Sequence, residues 1–240
     1  MGSKTNWDHF GSKSHPYCDL YISDDLQRTY LNTPLTRFLC PKVDKHYADY
    51  ERGYQQRAQV RLLEPSVIAY VACEKSNPDV IIGQATLRRF GDDAGYKAQV
   101  RSRDTYLLRL LNLAYFYYLK VYNYIWPDLS SDPIALKRFL QAGEVEMKLH
   151  WNHRPNRWEA LSVVVLEEFQ GRGIGKKLMK KVIDMAEAEQ VVCGLHASKP
   201  GRMLYQSVGF DHLANFDFTL PDDEGGGIML YTPKSLKSKV

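Results

Sequence analysis

The chain has 240 residues and a mass of 27.7 kDa, enough for one large domain or two small ones with a sizeable core. Apolar residues make up 44% and charged residues 25%, the balance of an ordinary soluble globular protein. The net charge of +4 suits an anionic ligand, but with no long Lys/Arg block it argues against nucleic acid as a partner. Cys18, Cys40, Cys73 and Cys193 lie far apart with no CxxC pair, which predicts free thiols in a reducing compartment rather than a disulfide framework. The opening MGSKTNWDHF lacks the apolar core of a signal peptide, and Asn6 stands where a myristoylation signal needs Ser or Thr. A cytoplasmic location is expected, with the nucleus left open.

In chain order, loop is followed by a helix over His46–Glu64, of helical composition but weak periodicity. VIAYVACE (Val67–Glu74) and VIIGQATLRRF (Val80–Phe90) alternate around the turn SNPD and predict a hairpin that ends at Gly91–Gly95. TYLLRLLNLAYFYYLKVYNYIW then predicts a helix from an Asp104 cap to Trp126, stopped by Pro127. Arg109, Asn112, Lys120 and Asn123 interrupt it, so no membrane span is expected. A second short helix opens with Asp132 as cap and Pro133 at its first position. GEVEMKLHW, from Gly143, alternates polar and apolar residues and predicts a strand.

After the loop NHRPN, Trp158–Leu166 reads as a buried strand with Leu161, Val163 and Val165 on one face; the two-residue period adds Glu159 to that face. From Ile174 the apolar positions Leu178, Val182 and Ala186 recur at helical spacing, with Lys176, Lys177, Lys180 and Lys181 on the polar side. A strand at VVCGLHA, a short helix at SKPGRMLYQSV and a last strand at GIMLYTP complete an α/β layer pattern. The basic KSLKSKV, Lys234–Val240, reads as a solvated tail.

The turn between strand and helix is QGRGIGKK. Glycine lets the backbone turn tightly and lets a ligand approach the unpaired amides of a helix start, where the dipole favours an anion. Arg172 and Lys176 add mobile cations. The spacing fails both the GxGxxG dinucleotide fingerprint and the GxxxxGK[ST] phosphate loop. Gln170-Gly171-Arg172-Gly173-Ile174-Gly175 resembles the Q/R-x-x-G-x-G/A signature of the GNAT superfamily of acyl-CoA-dependent N-acyltransferases, and LYQSVGF (Leu204–Phe210) resembles its later LYxxxGF element. The resemblance covers roughly residues 67–90 and 144–231.

It implies a mixed, largely antiparallel central sheet flanked by helices, here a single domain over 1–240 with a helical insertion at about 95–142. It further implies acetyl-CoA as acyl donor and an amine as acceptor. The pyrophosphate would lie on the amides of Gln170, Gly171, Arg172, Gly173, Ile174, Gly175 and Lys176, and the pantetheine along Val163, Val164 and Val165. Tyr205 matches the tyrosine that reaches the thioester sulfur and is the expected acid. Glu159 is the expected base, with substrate binding or pairing to Arg157 or Arg154 as alternatives, and Glu144, Glu146 and His150 as rivals. Ser198 replaces the family's usual asparagine and would still donate to pantetheine, while Gly201 replaces the usual alanine.

His150 and His153 lack further partners for a metal, and Cys193 and His196 point to opposite faces of their strand, so no metal is expected. The aromatic helix has two readings: packing on the sheet, or a wall of the acceptor site or homodimer face. The expected activity is acetyl transfer to a primary amine on a small molecule. A lysine or N-terminal acetyltransferase and a non-catalytic CoA-binding module are the alternatives.

Overall fold

Hydrophobic alternation in the first hairpin begins the sheet. The computed structural model describes residues 24–216 and 226–237; Cys18 and the segment read for leader and lipidation signals lie outside them. Three helices come first, α1 (Asp24–Leu31), α2 (Pro34–Leu39) and α3 (Tyr47–Leu63). Strands β1 (Val67–Cys73) and β2 (Ile81–Phe90) form the expected antiparallel hairpin. Helices α4 (Ala94–Arg101), α5 (Tyr106–Ile125) and α6 (Pro133–Glu146) follow, then a π-helical turn at Met147–Trp151. The rest is β3 (Arg157–Val165), α7 (Ile174–Glu189), β4 (Val192–Ala197), α8 (Lys199–Ser207), β5 (Asp211–Ala214), β6 (Gly227–Tyr231) and α9 (Lys234–Lys237). Among the described residues the strands form one sheet in the order β1-β2-β3-β4-β6-β5, with β3 and β4 the parallel pair.

One side of the sheet is covered by α7 and α8. Leu178, Met179, Val182 and Ala186 of α7 are buried, together with Leu87, Trp158, Ala160, Cys193, Leu195, Phe210 and Met229. Full burial of a Val, Leu or Met side chain contributes about 1.5–3 kcal/mol each, so this amphipathic stripe fixes how α7 lies. The buried guanidinium of Arg89 ties the far end of α7 to the sheet through Glu189 (2.8 Å) and Asp93 (2.6 Å). Asp93 also caps α4, a helix that the Gly91–Gly95 turn signal hid.

Four expectations are corrected. The cap of α5 is Thr105, whose hydroxyl accepts from the Leu108 amide; Asp104 instead binds Arg109. The strand expected from Gly143 is helical, so the insertion runs on to Trp151. The alternation of Val145, Met147, Leu149 and Trp151 imitates a strand, yet Val145, Met147 and Leu149 are exposed and only Trp151 is buried. The helix begun at the Asp132 cap meets no proline or sheet edge to stop it, and the Trp151 indole anchors its end by donating to Glu146 at 2.8 Å. The basic tail is in part a helical turn, α9, with Lys237 bonded to Asp211 at 2.7 Å.

The fourth correction concerns β3. Thr86 pairs with Ser162 and Leu87 with Ala160, so Leu161 is an extra residue, a β-bulge. The bulge reverses the alternation. Trp158, Ala160, Val163 and Val165 face α7, whereas Arg157, Glu159, Ser162 and Val164 face the other side with Arg88, Thr86 and Gln84. Glu159 therefore does not share a face with Val163 and Val165.

On that other side Trp151 lies close against Gly194 of β4: a Cβ there would fall 2.2 Å from the ring. Gly194→Ala should destabilise the protein by about 1–3 kcal/mol, read as a lowered urea midpoint with an unchanged slope.

Candidate active site

The site begins where β3 and β4 part. Their parallel pairing runs from Arg157/Val192 to Ala160/Leu195 and ends at the bulge. Beyond it, Leu161–Val165 stay paired with β2 on one edge, while β4 continues to Ala197 paired with β6 on its own far edge. A bulge bends its strand and increases the local twist, so the two strands diverge and leave a slot between them. The backbone of Val163, Val164 and Val165 lines one wall of this slot.

At the end of the slot β3 leads through a short turn at Glu167–Phe169 into QGRGIGKK. Gly171 (φ 72°) and Gly173 (φ 77°) are left-handed, a conformation that costs other residues roughly 1–2 kcal/mol, and no heavy atom would lie within 4 Å of a Cβ at either. The open space is a cradle rather than a packing requirement. Gly173 is the N-cap of α7 and offers no side chain, so the amides of the first turn keep their donors for a ligand. Gly175 has a different task, since a Cβ there would meet Leu204 of α8 at 3.1 Å. Around the cradle Gln170 donates back to the Val165 carbonyl (3.0 Å), Arg172 donates to the Glu168 carbonyl (2.8 Å) and stacks over Phe169, and Lys176 is exposed.

Tyr205 lies on α8, buried beside Phe210. Burial raises its phenol pKa, and the nearby Tyr30 phenol pushes the same way, so the hydroxyl stays protonated. Its ring rests against Gly201, where a Cβ would approach to 3.1 Å, which accounts for glycine at that position. Ser198 caps α8, accepting from the Gly201 amide at 3.4 Å.

Across the sheet, Glu159 is mostly buried and 3.4 Å from Arg157. Arg157 is itself held between the Phe90 and Trp151 rings, 4.1 and 5.1 Å from their centroids. Burial lowers the Arg157 pKa, and Glu159 partly offsets this. Next to this pair, Glu146 bonds His196 at 2.5 Å and Trp151 at 2.8 Å. Burial opposes the charge on Glu146, yet the bonds from His196 and Trp151 hold its pKa below the usual carboxylate range. Burial would lower the pKa of His196, but Glu146 outweighs it and the net shift is upward. Of the rivals to Glu159, Glu144 and His150 sit on the inserted helix and its π turn rather than on a strand.

Sequence reasoning missed Tyr30. Its hydroxyl shares a 2.6 Å hydrogen bond with Ser162, the residue just past the bulge, from 132 positions away in the chain. No local pattern could have found it. It also missed the Glu146–His196 bond, because the strand reading of Gly143–Trp151 directed Glu146 elsewhere.

The paired shifts set a pH window. The His196 contribution to stability is complete below its unfolded pKa of about 6.5 and disappears as pH rises through the elevated folded value; that of Glu146 is lost as pH falls through its depressed value. Glu146→Gln should lower the His196 titration midpoint, measured by NMR of the imidazole, and an unchanged midpoint would sink the pairing.

Residues 136–212 match the family model described as Acetyltransferase (GNAT) domain. An uncharacterized N-acetyltransferase of Schizosaccharomyces pombe is 28% identical over 181 residues, 72% of this chain and 69% of that protein. A solved structure from Corynebacterium glutamicum, described as histone acetyltransferase HPA2 and related acetyltransferase, superposes with a TM-score of 0.51 at 15% identity, covering 88% of this chain and 87% of that one. The diverging strand pair and the glycine turn both fall within residues 136–212, the part of the chain that matches the acetyltransferase (GNAT) domain.

Proposed function

We propose that this acetyl-CoA-dependent enzyme acetylates a compact primary amine held on the Glu159 side of the sheet, with Tyr205 and Glu159 handling the protons. The observation that carries the reading is the slot between β3 and β4, open to the glycine cradle at one end and flanked by Tyr205 and Glu159 from opposite faces. Acetyl-CoA supplies the acyl group as an activated thioester. The amides from Gln170 to Lys176 would hold its pyrophosphate, with Arg172 and Lys176 adding charge. The strand edge at Val163–Val165 would offer backbone groups to the pantetheine arm, and the hydroxyl of Ser198, the cap of α8, would donate to it.

Attack by the amine on the thioester forms the C–N bond and breaks the C–S bond, with one proton leaving nitrogen and one reaching sulfur. Tyr205 keeps its proton because burial raises its pKa, and it can deliver that proton to the sulfur. Glu159 can take the amine proton directly or through water; its pairing with Arg157 at 3.4 Å gives it a fixed orientation and a partner to share charge with. Glu146 adds a second carboxylate on the same side, bonded to His196.

The compact acceptor is supported by what covers this side of the sheet. Tyr30 bonds Ser162 from α1, the tilted rings of Tyr30 and Tyr54 lie 6.1 Å apart, and Trp151 closes over Gly194 from the end of the insertion. These walls leave less room for an extended peptide than for a small amine.

CoA thiol release should be measured with pooled polyamines, amino acids, arylamines, aminoglycosides, lysine peptides and N-terminal peptides. One small-amine pool should give turnover, with kcat lowered by about 10²–10⁴ in Tyr205→Phe and unchanged acetyl-CoA affinity. Turnover confined to peptides would overturn the acceptor class, and silence in every pool despite tight acetyl-CoA binding would favour a binding module.

A further inference from the structure

Helix α5 is apolar on nearly every side, yet none of its residues is buried. It rests on α3 along a narrow stripe of half-buried residues, Leu108, Asn112, Tyr115, Leu119 and Tyr122. Asn112 donates to the Leu63 carbonyl at 2.9 Å and Tyr115 bonds Gln59, so the stripe fixes the rotation of the helix. Outside it, eleven large apolar side chains from Tyr106 to Ile125 are 46% exposed or more. With ~200 Å² as the full area of such a side chain, they leave roughly 1,300 Å² in water. The largest patch on a monomer is about 300–600 Å², and a stable dimer buries about 800 Å² per partner.

The exposed surface has a pattern. Leu107, Leu111, Ala114, Tyr118, Val121 and Ile125 recur at spacings of four and three, the a/d repeat of a helix seam. At ~100° per residue this seam lies about 100° from the α3 stripe, while the two charged residues of α5, Arg109 and Lys120, lie about 200° from it. Arg109 is bonded to Asp104, and Lys120 sits over the Phe116 ring. The seam is therefore without charge along the whole helix.

It is also symmetric in size when two copies run in opposite directions. The sum of paired positions is constant: Leu107 falls opposite Ile125, Leu111 opposite Val121, and Ala114 opposite Tyr118. The largest side chain thus meets the smallest, whereas a parallel pairing would set Tyr118 against Tyr118. We propose that α5 is a homodimer interface, packing antiparallel on α5 of a second copy about a two-fold axis near the middle of the helix, as isologous contacts require. The acetyl-transfer site on the sheet plays no part in this pairing.

Sedimentation velocity from low to high micromolar concentration tests it. The wild-type chain should sediment at twice 27.7 kDa. Leu111→Asp with Val121→Asp should weaken the dimer by about 100-fold or more, since four carboxylates would be buried without partners. Both positions are exposed, so the far-UV circular dichroism of the double variant should match wild type, and Lys120→Glu on the opposite side should leave the dimer intact. Mixing Ala114→Cys and Tyr118→Cys chains should give a disulfide-linked pair in higher yield than either chain alone. A wild-type monomer at every concentration overturns the proposal. So does a dimer that survives the double substitution, a monomer that floats with phosphatidylcholine–phosphatidylserine vesicles through α5, or a seam shielded only while residues 1–23 are attached.

Discussion

One inserted residue in one strand, Leu161 in β3, organises the site. Upstream of it β3 pairs with both neighbours; downstream it keeps only β2. The same bulge swaps which side chains face which layer, so Glu159 and Ser162 share a face although they are three apart. A regular strand would have sent Glu159 and Val163 to the same side and kept β4 in register to its end. The bulge instead opens a slot, supplies backbone to its wall and brings a carboxylate to the side opposite Tyr205.

The two faces of the sheet then take different roles. The α7 face is a close-packed apolar core, where Gly175 lets α7 approach Leu204 and where Arg89, Asp93 and Glu189 clamp the far end. The other face is polar and aromatic, with Arg157 between two rings, Glu159 beside it, and Glu146 bound to His196 and Trp151. Several of these groups come from the inserted segment. It therefore contributes to the Glu159 side of the sheet through its last turn, while its longest helix, α5, points its apolar seam away from α3. A buried ion pair is a weak source of stability but a strong source of orientation, since leaving either charge unpaired is costly. That suits a carboxylate whose position matters more than its contribution to folding.

The glycines of QGRGIGKK show how one composition serves separate physical needs. Gly171 and Gly173 adopt left-handed backbone with open space around them, and Gly175 is packed. A glycine pattern in sequence announces that the backbone does something unusual, without saying which residue turns and which one makes room.

Much of the fold was legible because its signals are local. The hairpin at Val67–Phe90, the amphipathic helix from Ile174, the cap at Asp132 and the glycine turn all follow from periodicity and backbone chemistry within a few residues. The reading failed where local patterns are ambiguous: Gly143–Trp151 alternates like a strand, but with no neighbouring strand to pair with, it continues the helix that Asp132 starts. By itself the sequence determined the first hairpin, the helix from Ile174 and the anion-ready turn. Tertiary structure alone decided the register of β3 against β2, hence the face of Glu159, and the contacts of Tyr30 with Ser162 and Glu146 with His196. Register and long-range contacts depend on pairing energies between distant segments, and a bulge of one residue changes every facing beyond it without leaving a mark in the hydrophobic pattern.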